Sequence, residues 1–155
     1  MHLPDFSVTQ IKTRVYLAGI KSSKNLSANI THVLSLLSEK PDLHPHESKR
    51  KHLYICAADN ENQDLLSYFG VCYDFIHNAL NENSTNEILI HCRAGRSRSA
   101  TIAMMFLMRT YRWNYDQANQ YLTKKRPIIK INKGRNTVTR SSRRMSEIYR
   151  MKIHV

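Results

Sequence analysis

The residues best suited to chemistry are Cys92 and, six positions on, Arg98, within EILIHCRAGRSRSATIAMMFLM (residues 87–108). A thiolate is a strong nucleophile, and a guanidinium offers a planar fork that grips two oxygens of a phosphoryl group in a way lysine cannot. Of the three cysteines, Cys56, Cys72 and Cys92, only Cys92 has an arginine at this spacing. It is also preceded by an apolar run and followed by a mid-loop glycine, Gly95, by a hydroxyl directly after the arginine, Ser99, and by a second apolar run. That order reads as strand, tight loop, helix. In such a turn the loop N–H groups and the helix N-terminus converge on an anion. The helix dipole and Arg98 both favour thiolate, and cysteines so placed titrate roughly between 3.5 and 7.5. Gly95 supplies the positive φ or the close backbone approach that the turn needs. A buried, inert thiol among surface arginines would call for none of these features together.

The elements that must position this loop alternate. RVYLAG (14–19), HVLSLL (32–37), HLYICA (52–57) and EILIHC (87–92) are short apolar runs of strand type. Between the last two, Leu65, Phe69, Cys72, Ile76 and Ala79 share one face of a helix of about four turns. Residues 100–108 are apolar on nearly every side and predict a helix buried in mid-domain. Asn114 and Gln117 form a capping box for a further helix, with Tyr115, Ala118 and Leu122 on one face and Pro127 as its stop. The expected fold is therefore α/β: one domain, a central, largely parallel sheet of four to five strands flanked by helices, with ligands bound at the carboxyl ends of the strands.

With 155 residues, 41% apolar and 23% charged, the composition is that of a globular domain, expected over 1–155 with a basic C-terminal segment from about 128. The longest apolar runs fall short of a membrane span, and MHLPDFSVTQ has neither the basic nor the apolar region of a secretory leader. Three cysteines without a CxxC pair favour a reducing compartment, cytoplasmic or nuclear, over a disulfide scaffold or zinc site. The net charge of +12 points to acidic partners. From Lys124 onward eleven cations, Arg126 and Lys130 among them, stand against Glu147 alone as a basic appendage, and those within KGRNTVTRSSRRMSEIYRM (133–151) are expected on a solvated face. The segment SEKPDLHPHESKRKH (38–52) reads as an exposed loop. Its His44, His46 and His52 lack the cysteine or carboxylate partners of a metal site, so no metal is expected.

HCRAGRSRSA resembles the signature of the cysteine-dependent protein tyrosine phosphatase superfamily, and its wording is most similar to the dual-specificity phosphatases. The resemblance spans roughly 11–127, through VYLAG, ITHVLSLLSE, AADNENQDLLSYF and MMFLMRTYRWNYDQANQYLTKKRP in the family's order. It implies that Cys92 attacks phosphorus and forms a phosphocysteine, while Arg98 and the amides of Arg93, Ala94, Gly95, Arg96, Ser97 and Arg98 hold the equatorial oxygens. A carboxylic acid then protonates the leaving oxygen and later activates water, with no cofactor. Asp59, ten residues before Phe69, matches the family's acid loop; its rival Asp64 stands where it would serve a helix N-terminus. Ser99 matches the hydroxyl that helps the sulfur leave, or serves simply as a helix-start residue. His91 matches a supporting neighbour of the cysteine, or is a buried strand-end histidine. Asn132 matches the family's asparagine beyond the Arg-Pro segment, but the aromatic that should follow to pack a last helix is missing.

The resemblance also implies a shallow cup open to phosphotyrosine and to phosphoserine or phosphothreonine, hence a phosphorylated protein substrate. Arg93 and Arg96 stand where phosphoinositide phosphatases carry lysines, so acidic lipid is the alternative, followed by an RNA 5′-phosphate and by a non-catalytic phosphate or nucleic-acid binder. Cys56 ends a strand near Cys92, as a packing residue or as a partner in a protective disulfide.

Overall fold

The computed structural model describes residues 7–42, 49–60 and 64–131. Its order is β1 (Thr9–Lys12), β2 (Val15–Gly19), α1 (Ile20–Ser23), β3 (Ile30–Leu37), β4 (Lys51–Cys56), α2 (Leu66–Glu82), β5 (Glu87–Cys92), α3 (Arg98–Tyr111) and α4 (Tyr115–Lys125). The five strands form one sheet in the order β1-β2-β5-β3-β4, parallel except for β1. Four strands lie where the apolar runs place them. The fifth, β1, is an edge strand with one buried apolar residue, Ile11, among polar ones, so it lacks the apolar run that marks the others.

β2 and β3, consecutive in the chain, lie on opposite sides of β5. Such a reversal of winding direction opens a crevice beyond the carboxyl ends of the central strands. Cys92 is the last residue of β5 and stands at that crevice.

Alternation along the strands separates two apolar clusters. Val15, Leu17, Leu34, Leu36, Ile88, Ile90 and Cys92 pack with α2, α3 and α4 on one face. Ala18, Val33 and Leu89 pack with Tyr16 and Leu26 on the other. Helix α3 is buried from Arg98 to Met108, and its apolar residues 100–108 lie in the core as expected. Helix α2 buries Phe69, Cys72, Ile76 and Ala79 on the expected stripe, and Leu65 is buried one residue before its start. At α4, the Asn114 side chain accepts from the Gln117 N–H at 2.8 Å while Gln117 accepts from the Asn114 N–H at 2.9 Å, the expected capping box. The helix stops before Arg126 and Pro127.

The exposed loop expected over 38–52 is shorter than its composition suggests, because β4 begins at Lys51 and takes in His52. His44, His46, Asn132 and the cations from Lys133 onward lie outside the described residues.

Candidate active site

The loop between β5 and α3 owes its shape to its surroundings. The Ile20 N–H donates to the Arg93 carbonyl at 3.0 Å, Arg126 Nε to the Gly95 carbonyl at 2.8 Å, and the Lys130 N–H to the Arg96 carbonyl at 2.9 Å. In a planar trans peptide the N–H points opposite to the C=O. Three carbonyls drawn outward therefore turn the N–H groups of Ala94, Arg96 and Ser97 toward the concave side of the loop. Gly95 has φ of +65°, and a Cβ there would lie 2.6 Å from the Ala18 carbonyl carbon and from the Arg126 guanidinium, so glycine is required on both counts.

Cys92 is buried at the base of this cup, with Sγ 3.2 Å from the Ser99 hydroxyl. Burial pushes the thiol up, but hydrogen bonds from the Ser99 hydroxyl and N–H, the Arg98 charge and the Gly95 N–H outweigh it and hold Cys92 below the ordinary thiol value. Ser99 is fully buried in the first turn of α3, with its hydroxyl turned to the sulfur. Ser97 precedes α3, and its carbonyl accepts from the Thr101 N–H and hydroxyl at 2.8 and 2.7 Å, fixing where loop becomes helix.

Arg98 is 3% exposed, and its Nη1 donates to the Ala57 carbonyl at 2.8 Å. Its Nε is buried without a hydrogen-bond partner among the described residues, a donor that an oxyanion in the cup would satisfy. Asp59 is exposed on the bend two residues beyond Ala57, so the bond that orients the arginine also anchors the segment carrying this carboxylate. Asp64 accepts from the Leu66 N–H at 3.0 Å and is thereby committed to the entrance of α2.

His91 points to the opposite face of the sheet from Cys92, where its Nε2 meets the Ser35 hydroxyl of β3 at 2.6 Å in a buried contact. The two remaining loop arginines diverge. Arg93 is exposed and lines, with Arg98, Glu39 and Lys40, a cavity of about 430 Å³ beside the cup. Arg96 is exposed too, but its Nε donates to the Ile128 carbonyl at 3.2 Å and so grips the segment after α4.

Arg126, one of the cations of the basic stretch, is 1% exposed and is the largest fully buried side chain among the described residues. Counting charge along the chain could not reveal this. Helical spacing could have, because Arg126 continues the buried series Ala118, Leu122 at the next turn. Cys56 is exposed rather than packed, with its thiol toward the Ser38 carbonyl at 3.5 Å. Strand β3 separates it from β5, so two strand spacings, about 9.5 Å, stand between the backbones, beyond the roughly 7 Å Cα limit for a disulfide. Ser35 and the Ala57 carbonyl had no mark in the sequence, since their roles depend on strand register.

Comparison with known proteins agrees with this geometry. The chain is 34% identical over 128 residues to dual specificity protein phosphatase 1 of Arabidopsis thaliana, covering 80% of this chain and 63% of that protein. It is 31% identical over 138 residues to the tyrosine-protein phosphatase yvh1 of Schizosaccharomyces pombe, covering 85% and 41% respectively. The chain thus spans less than two thirds of the length of these relatives. The crystal structure of DUSP15 superposes with a TM-score of 0.79 at 23% identity, covering 91% of this chain and 94% of that one, which speaks for the fold. The family described as "Dual specificity phosphatase, catalytic domain" matches residues 15–138, and the chain belongs to it.

Proposed function

We propose that the protein is a cysteine-dependent phosphatase that hydrolyses phosphotyrosine and phosphoserine or phosphothreonine in proteins. The observation that carries this reading is the Cys92 thiol, held toward thiolate at the base of an amide-lined loop, 3.2 Å from Ser99. In the first step the Cys92 sulfur attacks phosphorus, the S–P bond forms as the P–O bond to the substrate breaks, and Asp59 gives its proton to the departing oxygen. Arg98 and the inward N–H groups hold the three equatorial oxygens. In the second step Asp59 takes a proton from water as the water oxygen attacks phosphorus, and the S–P bond breaks to return the thiolate. Ser99 stabilises that leaving sulfur by hydrogen bonding.

A phosphoprotein is favoured over a lipid headgroup because only one of the two flanking loop arginines, Arg93, lines the cavity beside the cup, where the carboxylate of Glu39 accompanies Lys40. The basic C-terminal segment from about residue 128 is the candidate contact for acidic lipid or nucleic acid. Hydrolysis of an aryl phosphate at pH 6 tests the chemistry. Cys92→Ser is expected to lose more than about 10³-fold in turnover, and wild-type rates in that variant would end the enzymatic reading. Asp59→Asn is expected to lose about 10²-fold or more with a poor leaving group and little with a good one; equal loss with both would move the acid elsewhere. Parallel assays on phosphotyrosine peptides, phosphothreonine peptides, phosphoinositide vesicles and 5′-phosphorylated RNA test the substrate, and preference for either of the last two would replace the protein reading.

A further inference from the structure

Arg126 joins three parts of the molecule that are remote in sequence. Its Nε donates to the Gly95 carbonyl at 2.8 Å. Its Nη1 donates to the Ser7 carbonyl at 3.0 Å, the Ser7 hydroxyl at 3.1 Å and the Thr9 hydroxyl at 2.8 Å, at the start of β1. A guanidinium is almost never fully buried unless it finds acceptors, and here Nε and Nη1 find neutral oxygens.

We propose that Arg126 is a positioning residue for phosphoryl transfer, which fixes the Gly95 peptide and through it the cup that activates Cys92. Gly95 contributes on both of its sides. Its carbonyl is drawn outward by Arg126, which turns the Arg96 N–H inward, and its own N–H hydrogen-bonds the Cys92 sulfur. The φ of +65° at Gly95 is the left-handed conformation that lets one residue face both ways, and a flexible glycine needs an external restraint to stay there. Arg126 supplies that restraint from a rigid base, because its Nη1 is bound to Thr9 at the start of an edge strand of the sheet. Lysine would offer a point charge without the fork that spans Gly95 and Ser7/Thr9 together.

The role rests on the phosphatase reading for its catalytic meaning, but its test does not. The rate at which iodoacetate alkylates Cys92, followed against pH, reports the thiolate whether or not the protein turns over any substrate. Arg126→Met and Arg126→Lys are expected to move the acid limb of that profile to higher pH and to lower kcat/KM for an aryl phosphate by about 10²-fold, chiefly in kcat. Arg126→Lys is the informative variant if Arg126→Met fails to fold. Tyr121→Phe serves as the control: it removes another tether of α4 to β1, the Tyr121 hydroxyl bond to the Ile11 carbonyl at 2.6 Å, without touching the loop. Its alkylation profile should stay that of the wild type even though its Tm falls. An unshifted profile in a folded Arg126 variant, or an equal shift in Tyr121→Phe, overturns the proposal. Failure of the phosphatase reading would show separately, as full activity in Cys92→Ser.

Discussion

Cys72 and Cys92 are both buried, and their thiols are driven in opposite directions. Cys72 lies mid-helix on the apolar face of α2, where burial pushes it up to about 12. Cys92 is as deeply enclosed, yet its thiol is lowered, because Ser99, Arg98 and the Gly95 N–H supply what water would have supplied. Burial by itself makes a thiol inert. Burial against preorganised donors makes a nucleophile, since those donors need no rearrangement when charge appears.

The contrast is sharpest in reactivity. At pH 7 a thiol with a pKa near 12 is ionised to about one part in 10⁵, so Cys72 should resist iodoacetate until the protein unfolds while Cys92 reacts readily. Peptide mapping after timed alkylation reads both sites, and comparable labelling of the two in the folded protein would dissolve the distinction. A smaller effect is expected from Ser99→Ala, which removes the hydroxyl donor from Cys92. Its folded thiol pKa should rise, so the acid limb of the rate profile moves to higher pH, with roughly 10-fold slower turnover below neutrality. A profile superimposable on the wild type would assign the lowered pKa to the backbone and Arg98. The least effect on activity belongs to Cys72→Ser. A hydroxyl placed in an apolar helix interface should cost about 1–3 kcal/mol of stability in a urea titration, with kcat unchanged.

The four parallel strands, the buried helix after the cysteine and the capping box at Asn114 were legible in the sequence because each is governed by local apolar spacing or local capping chemistry. Cys92, Arg98, Gly95 and Ser99 were legible for the same reason: they lie within eight residues of one another, and the strand-loop-helix pattern brings them together. Ser35, Ala57 and Arg126 were not. Ser35 meets His91 only because β3 and β5 pair in a register that sets these two residues level. Ala57 receives Arg98 only because β4 ends near the crevice, and Arg126 reaches Gly95 from the C-terminal end of α4. Such partners are fixed by tertiary placement, and a one-dimensional pattern carries no record of it. Charge counting is silent on Arg126 because it does not distinguish a buried cation from a solvated one.

The outward carbonyls of the loop carry one more consequence. Arg93, Gly95 and Arg96 are each gripped from a different place: the start of α1, the residue after α4 and the segment beyond it. The ten residues HCRAGRSRSA therefore do not contain their own shape. Excised as a peptide, or transplanted onto another strand-helix junction, they would bring the right side chains but leave the peptide planes free to rotate. The portable unit is larger than the recognisable one, and grafting the site means carrying its outer clasps along with it.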